Sequence, residues 1–262
     1  MVTRNRGIIR DEEQVDLART TVAIAGAGGG GGHVAVTLAR MGVGGFTLAD
    51  PEDFEIENLN RQEGCTRATI GRNKAVVIRE AILAINPDAK VRAFTEGITE
   101  GNLSDFLAGA SLVIDETEYT RHWLAVMLAR AARDRQLAVV TGFNIAFGAL
   151  LTSFQPGGMT LEQYLGLDPN SPLEVVRQAE VSLDRWIPIP CPPSYLDAEL
   201  IAAVATGEIP APSVAPGVYL AAGMVATEAF NQLVGRQTPV AAPTVRWFDA
   251  LDGRMEDVTV EI

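Results

Sequence analysis

Thr21-Val-Ala-Ile-Ala-Gly-Ala-Gly-Gly-Gly-Gly-Gly-His33-Val-Ala-Val-Thr-Leu-Ala-Arg-Met41 is the stretch that decides the fold. A β-branched and apolar run stops at glycine, and the residues from His33 onward carry helical spacing, so the stretch predicts strand, glycine turn, helix. Within it Gly26-Ala-Gly-Gly-Gly-Gly31 satisfies G-x-G-x-x-G. Gly26, Gly28, Gly29 and Gly31 would permit a tight turn and let backbone N–H groups and the positive helix end approach a phosphate. A glycine turn that only packs a helix on a sheet reads the same way. What favours nucleotide binding is Asp50, about twenty residues further on at the end of the next apolar run, where a carboxylate accepts hydrogen bonds from a ribose.

Working outward, the pattern repeats. Strands are predicted at 45–49, 90–94, 111–115 and 137–141, and helices at 73–85, 103–107 and 120–134. Alternation of this kind implies crossover connections: an α/β, Rossmann-like, doubly wound and mainly parallel sheet with helices on both faces. From Gln155 to Pro212 proline becomes dense, as in Ile187-Pro-Ile-Pro-Cys-Pro-Pro193, and a loop-rich crossover region with short helices at 173–183 and 196–205 is expected. A long buried helix over 217–234 follows, capped by Gly235, and 244–248 and 258–262 read as antiparallel closing strands. We therefore expect one domain over 1–262, divided into a nucleotide-binding half (1–154), the crossover (155–212) and a C-terminal part (213–262).

Composition narrows the function. The chain has 262 residues, 47% apolar and 21% charged, and Lys+Arg 21 against Asp+Glu 33 gives a net charge of −12. That excess argues against a nucleic-acid partner, which needs clustered cations. Cys65 and Cys191 are too few for a disulfide framework or a four-thiolate zinc site, so a reducing, cytoplasmic setting is expected. Charges near the start, and again within 214–230, predict neither a signal peptide nor a membrane span.

The glycine loop alone serves NAD, FAD or ATP. Beyond Asp50, the segment Asn58-Leu-Asn-Arg61-Gln62 and then Lys74 deliver two cations toward the same crevice. A dinucleotide's pyrophosphate is met largely by backbone N–H groups, whereas a triphosphate needs such cations. Taken singly, Arg61 or Lys74 also reads as a solvated surface charge.

Together these pieces resemble the ThiF/MoeB/HesA group of ubiquitin-activating-type adenylyltransferases. The resemblance rests on Arg4-Asn5-Arg6, the Gly26–Gly31 loop, Asp50, Asn58 to Gln62, Ile70-Gly-Arg-Asn-Lys74, Leu112-Val-Ile-Asp115, Val214-Ala-Pro-Gly-Val218 and Phe248-Asp249-Ala250. It runs over nearly the whole chain and is weakest in the crossover. It implies binding of ATP with Mg2+ and attack by the C-terminal carboxylate of a small carrier protein or peptide on the α-phosphate, giving an acyl-adenylate and pyrophosphate. It assigns the ribose to Asp50 and the phosphates to Asn58, Arg61 and Lys74 with Gln62 alongside. A homodimer is implied, with Arg6 reaching across to the γ-phosphate of the partner's site.

Three departures stand out. Glu118, Tyr119 and Trp123 replace the family's Asp, Asn and Arg after the fourth strand, so magnesium would fall to Glu118, whose extra methylene shifts the carboxylate by about 1.5 Å. The Cys-x-x-Cys pairs that bind zinc in many relatives are absent, and Pro188, Pro190, Pro192 and Pro193 suggest loop packing in their place. No cysteine precedes Val214-Ala-Pro-Gly217 closely, so adenylation without an enzyme thioester is expected, with Cys191 and Cys65 as ordinary cysteines. The alternative is a catalytically weak member that binds nucleotide or pairs with an active relative. An NAD-dependent oxidoreductase fits only the loop and Asp50.

Overall fold

The computed structural model describes residues 2–189 and 191–260. In chain order its strands are β1 (Thr21–Ala25), β2 (Gly45–Ala49), β3 (Lys90–Phe94), β4 (Leu112–Asp115), β5 (Val139–Ile145), β6 (Gly148–Phe154), β7 (Thr244–Asp249) and β8 (Arg254–Thr259). Its α-helices are α1 (Asp11–Arg19), α2 (Gly29–Met41), α3 (Lys74–Ile85), α4 (Leu103–Phe106), α5 (His122–Asp134), α6 (Leu161–Leu165), α7 (Leu173–Gln178), α8 (Leu183–Trp186), α9 (Ala198–Ala205) and α10 (Ala215–Val234).

The strands form one sheet in the order β3-β2-β1-β4-β5-β6-β7-β8. The first five are parallel, and β6, β7 and β8 add antiparallel to β5 and to one another. Strand order reverses between β1 and β4, and a crevice opens at the carboxyl ends of strands at such a switch point. The mainly parallel sheet with antiparallel closing strands is as expected. It is one strand richer: β6 follows β5 through Ala146-Phe147, and Ala146 takes a left-handed φ of 51°. The fifth strand runs 139–145 rather than 137–141, and the last runs Arg254–Thr259 rather than 258–262, with Glu261 and Ile262 outside the described residues.

Burial explains why the apolar runs became strands. β2 and β6 are buried throughout and β1 at all but its first residue, since helices cover both faces. One face of the sheet packs Val22, Ile24, Phe46 and Leu48 against Val34, Leu38, Ile78 and Ile82 of α2 and α3, and against α10. The other packs Val113 and Val139 against Val126, Leu128 and Phe106. α10 buries Val218, Ala222, Val225, Ala229 and Phe230, a helical stripe, and ends at Gly235 with φ 67°. Gly31 lets α2 sit tight on the turn, because a Cβ there would run into the Gly26 carbonyl.

The crossover holds short helices, and two arginines of α5 fasten it. Arg133 donates to the carbonyls of Pro156 (2.7 Å), Gly158 (3.0 Å) and Met159 (3.0 Å). Arg130 pairs with buried Glu162 at 2.6 Å and donates to the Ser171 carbonyl at 2.9 Å. The arginines supply this anchoring; of the four prolines expected to pack here Pro193 is buried, Pro188 half-buried and Pro192 exposed, and Pro190 lies outside the described residues.

Candidate functional site

The carboxyl ends of β1, β2 and β4 open into a cavity of about 340 Å3. Gly26, Gly28, Gly29, Asp50, Gln62, Lys74 and Glu118 all line it, joined by Glu52, Glu96, Ile98, Glu116, Arg121, Trp123 and Leu124. Most of the predicted nucleotide residues are thus in one place.

Asp50 is fixed from both sides. Its Oδ2 accepts from the Ala27 N–H at 2.7 Å and its Oδ1 from the Glu52 N–H at 2.9 Å. Burial pushes its pKa up, and these backbone donors partly offset the rise. Lys74, at the first turn of α3, is buried and its Nζ lies 2.7 Å from Glu52 Oε2. Asn73 caps that helix and ties it back, donating to the Asp50 carbonyl at 3.0 Å.

Gln62 brings an acceptor to the cavity wall. Its Oε1 is buried without a hydrogen-bond partner, and its amide packs where a Cβ on Gly28 would lie 3.5 Å away. A buried acceptor left unpaired costs about 1–3 kcal/mol, which a ligand hydroxyl or amine would recover. Together with the glycine loop and Asp50, this donor and acceptor set fits a nucleotide.

Four predicted residues, Asn58, Arg61, Arg6 and Gly31, do not line the cavity. Asn58 is buried, but its Oδ1 accepts from the Glu55 N–H at 3.0 Å, closing the turn over Ile56–Asn60. Arg61 points its guanidinium at the Glu57 carbonyl (3.2 Å) and Asn60 Oδ1 (2.9 Å). Its backbone carbonyl is held 2.9 Å from His33 Nε2. Arg6 lies exposed by a separate cavity with Val2, Thr3 and Ile9. Gly31 serves helix packing. Of the three cations, Lys74 lines this cavity, Arg61 is turned away from it, and Arg6, expected at the partner's site, lies apart from it.

Glu118 lines the cavity and is exposed, with one long contact from the Thr120 hydroxyl at 3.4 Å. Among the described residues no three His, Cys, Asp or Glu side chains cluster as a metal cage. Magnesium is commonly held by one or two carboxylates with substrate phosphates and water, so Glu118 beside a polyphosphate fits it. Tyr119 is absent from the lining, while Trp123 joins it and is stacked by the Arg177 guanidinium 4.2 Å from its ring centre.

Glu116 escaped the sequence reading. It follows β4 directly, and its carboxyl reaches under the glycine loop to the place a Cβ on Gly30 would occupy. Desolvation there, reinforced by the Asp115 carboxylate, raises it well above the usual carboxylate range, although part of the residue still faces the cavity. The signal was available: the residue just after a strand at the switch point faces the crevice. Cys65 is half-buried outside the cavity, its thiol pushed up by burial, and Cys191 is exposed. His33 and His122 are packing residues with backbone carbonyl partners, at 2.9 and 2.7 Å.

A model of the ThiF family matches residues 2–261. The chain belongs to the ThiF family. It is 35% identical over 122 residues to the tRNA threonylcarbamoyladenosine dehydratase of Escherichia coli, covering 46% of this chain and 45% of that protein. It is 32% identical over 156 residues to the sulfur carrier protein ThiS adenylyltransferase of Escherichia coli, covering 58% and 61%. The chain thus matches about half the length of these curated relatives. Among solved structures, Escherichia coli MccB with ATP superposes with a TM-score of 0.68 at 18% identity, over 94% of this chain and 65% of MccB. The structure named PaaA gives 0.69 at 19%, over 95% and 66%. This ThiF chain therefore shares their Rossmann-like fold.

Proposed function

We propose that this chain is an ATP-dependent adenylyltransferase that activates the C-terminal carboxylate of a small carrier protein or peptide as an acyl-adenylate. The observation that carries the reading is the single cavity lined by the glycine loop, Asp50, Gln62, Lys74 and Glu118 in a ThiF-family chain. The names of the relatives point the same way: one adenylates a sulfur carrier protein, and MccB has been crystallised with ATP.

In this account Asp50 and Gln62 hold the nucleoside, and the N–H groups of Gly28 and Gly29 face the phosphates. A carboxylate oxygen forms a bond to the α-phosphorus while the bond to the oxygen bridging α and β breaks, and pyrophosphate leaves with that electron pair. No protein base takes a proton. The requirement is to bring two anions together in line, so Lys74 neutralises charge at the phosphates and Arg61 joins it by leaving the Glu57 carbonyl. Bound magnesium would add a Lewis acid on phosphate oxygens, with Glu118 as its protein ligand. Arg6 would complete the neighbouring subunit's site, which makes the active form a homodimer. The thiol of Cys65, pushed up by burial, and the absence of both cysteines from the cavity lining favour adenylation without an enzyme thioester.

Partner-dependent exchange of pyrophosphate into ATP tests the proposal. Exchange with a carboxylate-terminated carrier or peptide supports it. A second reading, a nucleotide-binding subunit without catalysis, is favoured by one observation: Trp123 brings an aromatic ring to the cavity at the position where the family pattern that the chain resembles has arginine. Tight ATP binding with no exchange would select that reading, and preference for NAD(H) over ATP would overturn both.

A further inference from the structure

The Lys74 ammonium does not meet the cavity as a free charge. It is paired with Glu52 at 2.7 Å, the lysine side chain 6% exposed and the glutamate 48%. The Glu52 main chain is held in place, because its N–H donates to Asp50 Oδ1 at 2.9 Å while its carbonyl accepts from the Lys74 N–H at 2.9 Å and from Asn73 Nδ2 at 3.2 Å. Asp50, Glu52, Glu96, Glu116 and Glu118 all place carboxyl groups around this cavity, and of these Glu52 is the one in contact with its buried cation. A phosphate reaching Lys74 must displace that carboxylate. Because the Glu52 backbone is pinned at the cavity wall, the displaced carboxylate can swing toward solvent but stays within a side chain's length of the phosphate, as a partly screened like charge.

On the reading of this cavity as a nucleoside triphosphate site, we infer that Glu52 is a specificity-determining residue: it makes the site discriminate against metal-free ATP in favour of the complex of ATP with a divalent cation. While the site is empty Glu52 neutralises Lys74, whose burial without a partner is costly. When nucleotide arrives without a cation, Glu52 competes for Lys74 and repels the polyphosphate. When a cation accompanies the phosphates, the displaced carboxylate faces positive charge instead. The other carboxylates of the lining add to the background field but do not touch the lysine.

The test is calorimetric titration of ATP into the full chain, with excess magnesium or with EDTA, for wild type, Glu52→Gln and Glu52→Asp. Wild type is expected to bind ATP at least about tenfold more weakly in EDTA, and Glu52→Gln to bind metal-free ATP about tenfold more tightly than wild type does, a step that corresponds to one partly screened like-charge contact. Affinity for the magnesium complex should move far less, so the preference collapses in Glu52→Gln and survives in the charge-conserving Glu52→Asp. An unchanged preference in Glu52→Gln, or equal weakening in both conditions, would overturn the inference and reduce Glu52 to a support for Lys74. Should Glu52→Gln not fold, loss of the preference in Glu52→Asp would overturn it equally. Folded wild type that binds no ATP in either condition would instead refute the nucleotide reading on which the inference rests.

Discussion

Asp50 Oδ2 accepts a hydrogen bond from the Ala27 backbone N–H at 2.7 Å, so the acid at the end of the second strand is also the strut of the glycine loop that closes the first. Loss of that carboxylate should act twice. Asp50→Ala leaves the Ala27 and Glu52 N–H groups without their acceptor, at about 1–3 kcal/mol each. Denaturant unfolding should show a combined loss of about 2–6 kcal/mol, and ATP titration a loss of binding. Unchanged stability would refute the strut role.

Gly30 and Glu116 share one small volume, since a Cβ on Gly30 would run into the Glu116 carboxyl. Gly30→Ala should cost no more than about 1 kcal/mol, because the Glu116 carboxyl that it meets can swing toward the cavity. Glu116→Ala should relieve much of that cost, so the double variant is more stable than the sum of the single effects. Simple additivity in a thermal unfolding cycle would show that the two do not meet.

Glu13 is buried between Arg236 and Arg10, and the first of these, 2.6 Å away, does most to hold its carboxyl far below the ordinary carboxylate range. A depressed folded-state pKa contributes stability above the unfolded value of about 4.3 that is lost as pH falls toward the folded one. Glu13→Gln should therefore lower Tm at neutral pH, and the gap to wild type should narrow as pH drops below about 4. A gap constant with pH would mean that the ion pair contributes nothing. Arg236 also donates to the Ile8 carbonyl at 2.6 Å, so this cluster fastens the segment that carries Arg6.

Arg6 lines a cavity apart from the one that holds Lys74. If it acts on the neighbouring subunit, Arg6→Ala and Lys74→Ala should each be nearly inactive alone. Mixed and allowed to exchange subunits, they should recover up to about a quarter of wild-type activity, because half of the dimers then hold one intact site. No recovery despite verified heterodimers would place Arg6 elsewhere in the mechanism.

Much of this was legible in the sequence, for a physical reason. A strand buried on both faces must be an apolar run, and Thr21–Ala25 and Gly45–Ala49 announced themselves that way, as did the glycine loop and Asp50. β6 was not, because the turn before it is Ala146-Phe147, with alanine where left-handed backbone normally signals glycine or asparagine. β8 was misplaced because it is an exposed edge strand whose residues alternate without an apolar face. At the site, spacing located Lys74 and Gln62 but gave no sign that Glu52 would hold the lysine or that Arg61 would rest against the Glu57 carbonyl. Those are side-chain choices made by charge balance in three dimensions. Glu116 was hidden among neighbouring acids, its burial set by the loop above it.

The central claim is that this site adenylates a carboxylate and needs no thiol. Isotope exchange between pyrophosphate and ATP, driven by a carboxylate-terminated carrier protein or peptide, tests it most directly when run on wild type, Lys74→Ala and the Cys65→Ser/Cys191→Ser double variant. The account predicts exchange in wild type, comparable exchange in the cysteine variant, and a drop of at least about a hundredfold for Lys74→Ala, as for loss of one preorganised group facing developing charge. Wild-type protein that binds ATP tightly yet exchanges no pyrophosphate with any such partner, or exchange that vanishes with the cysteines, would contradict it.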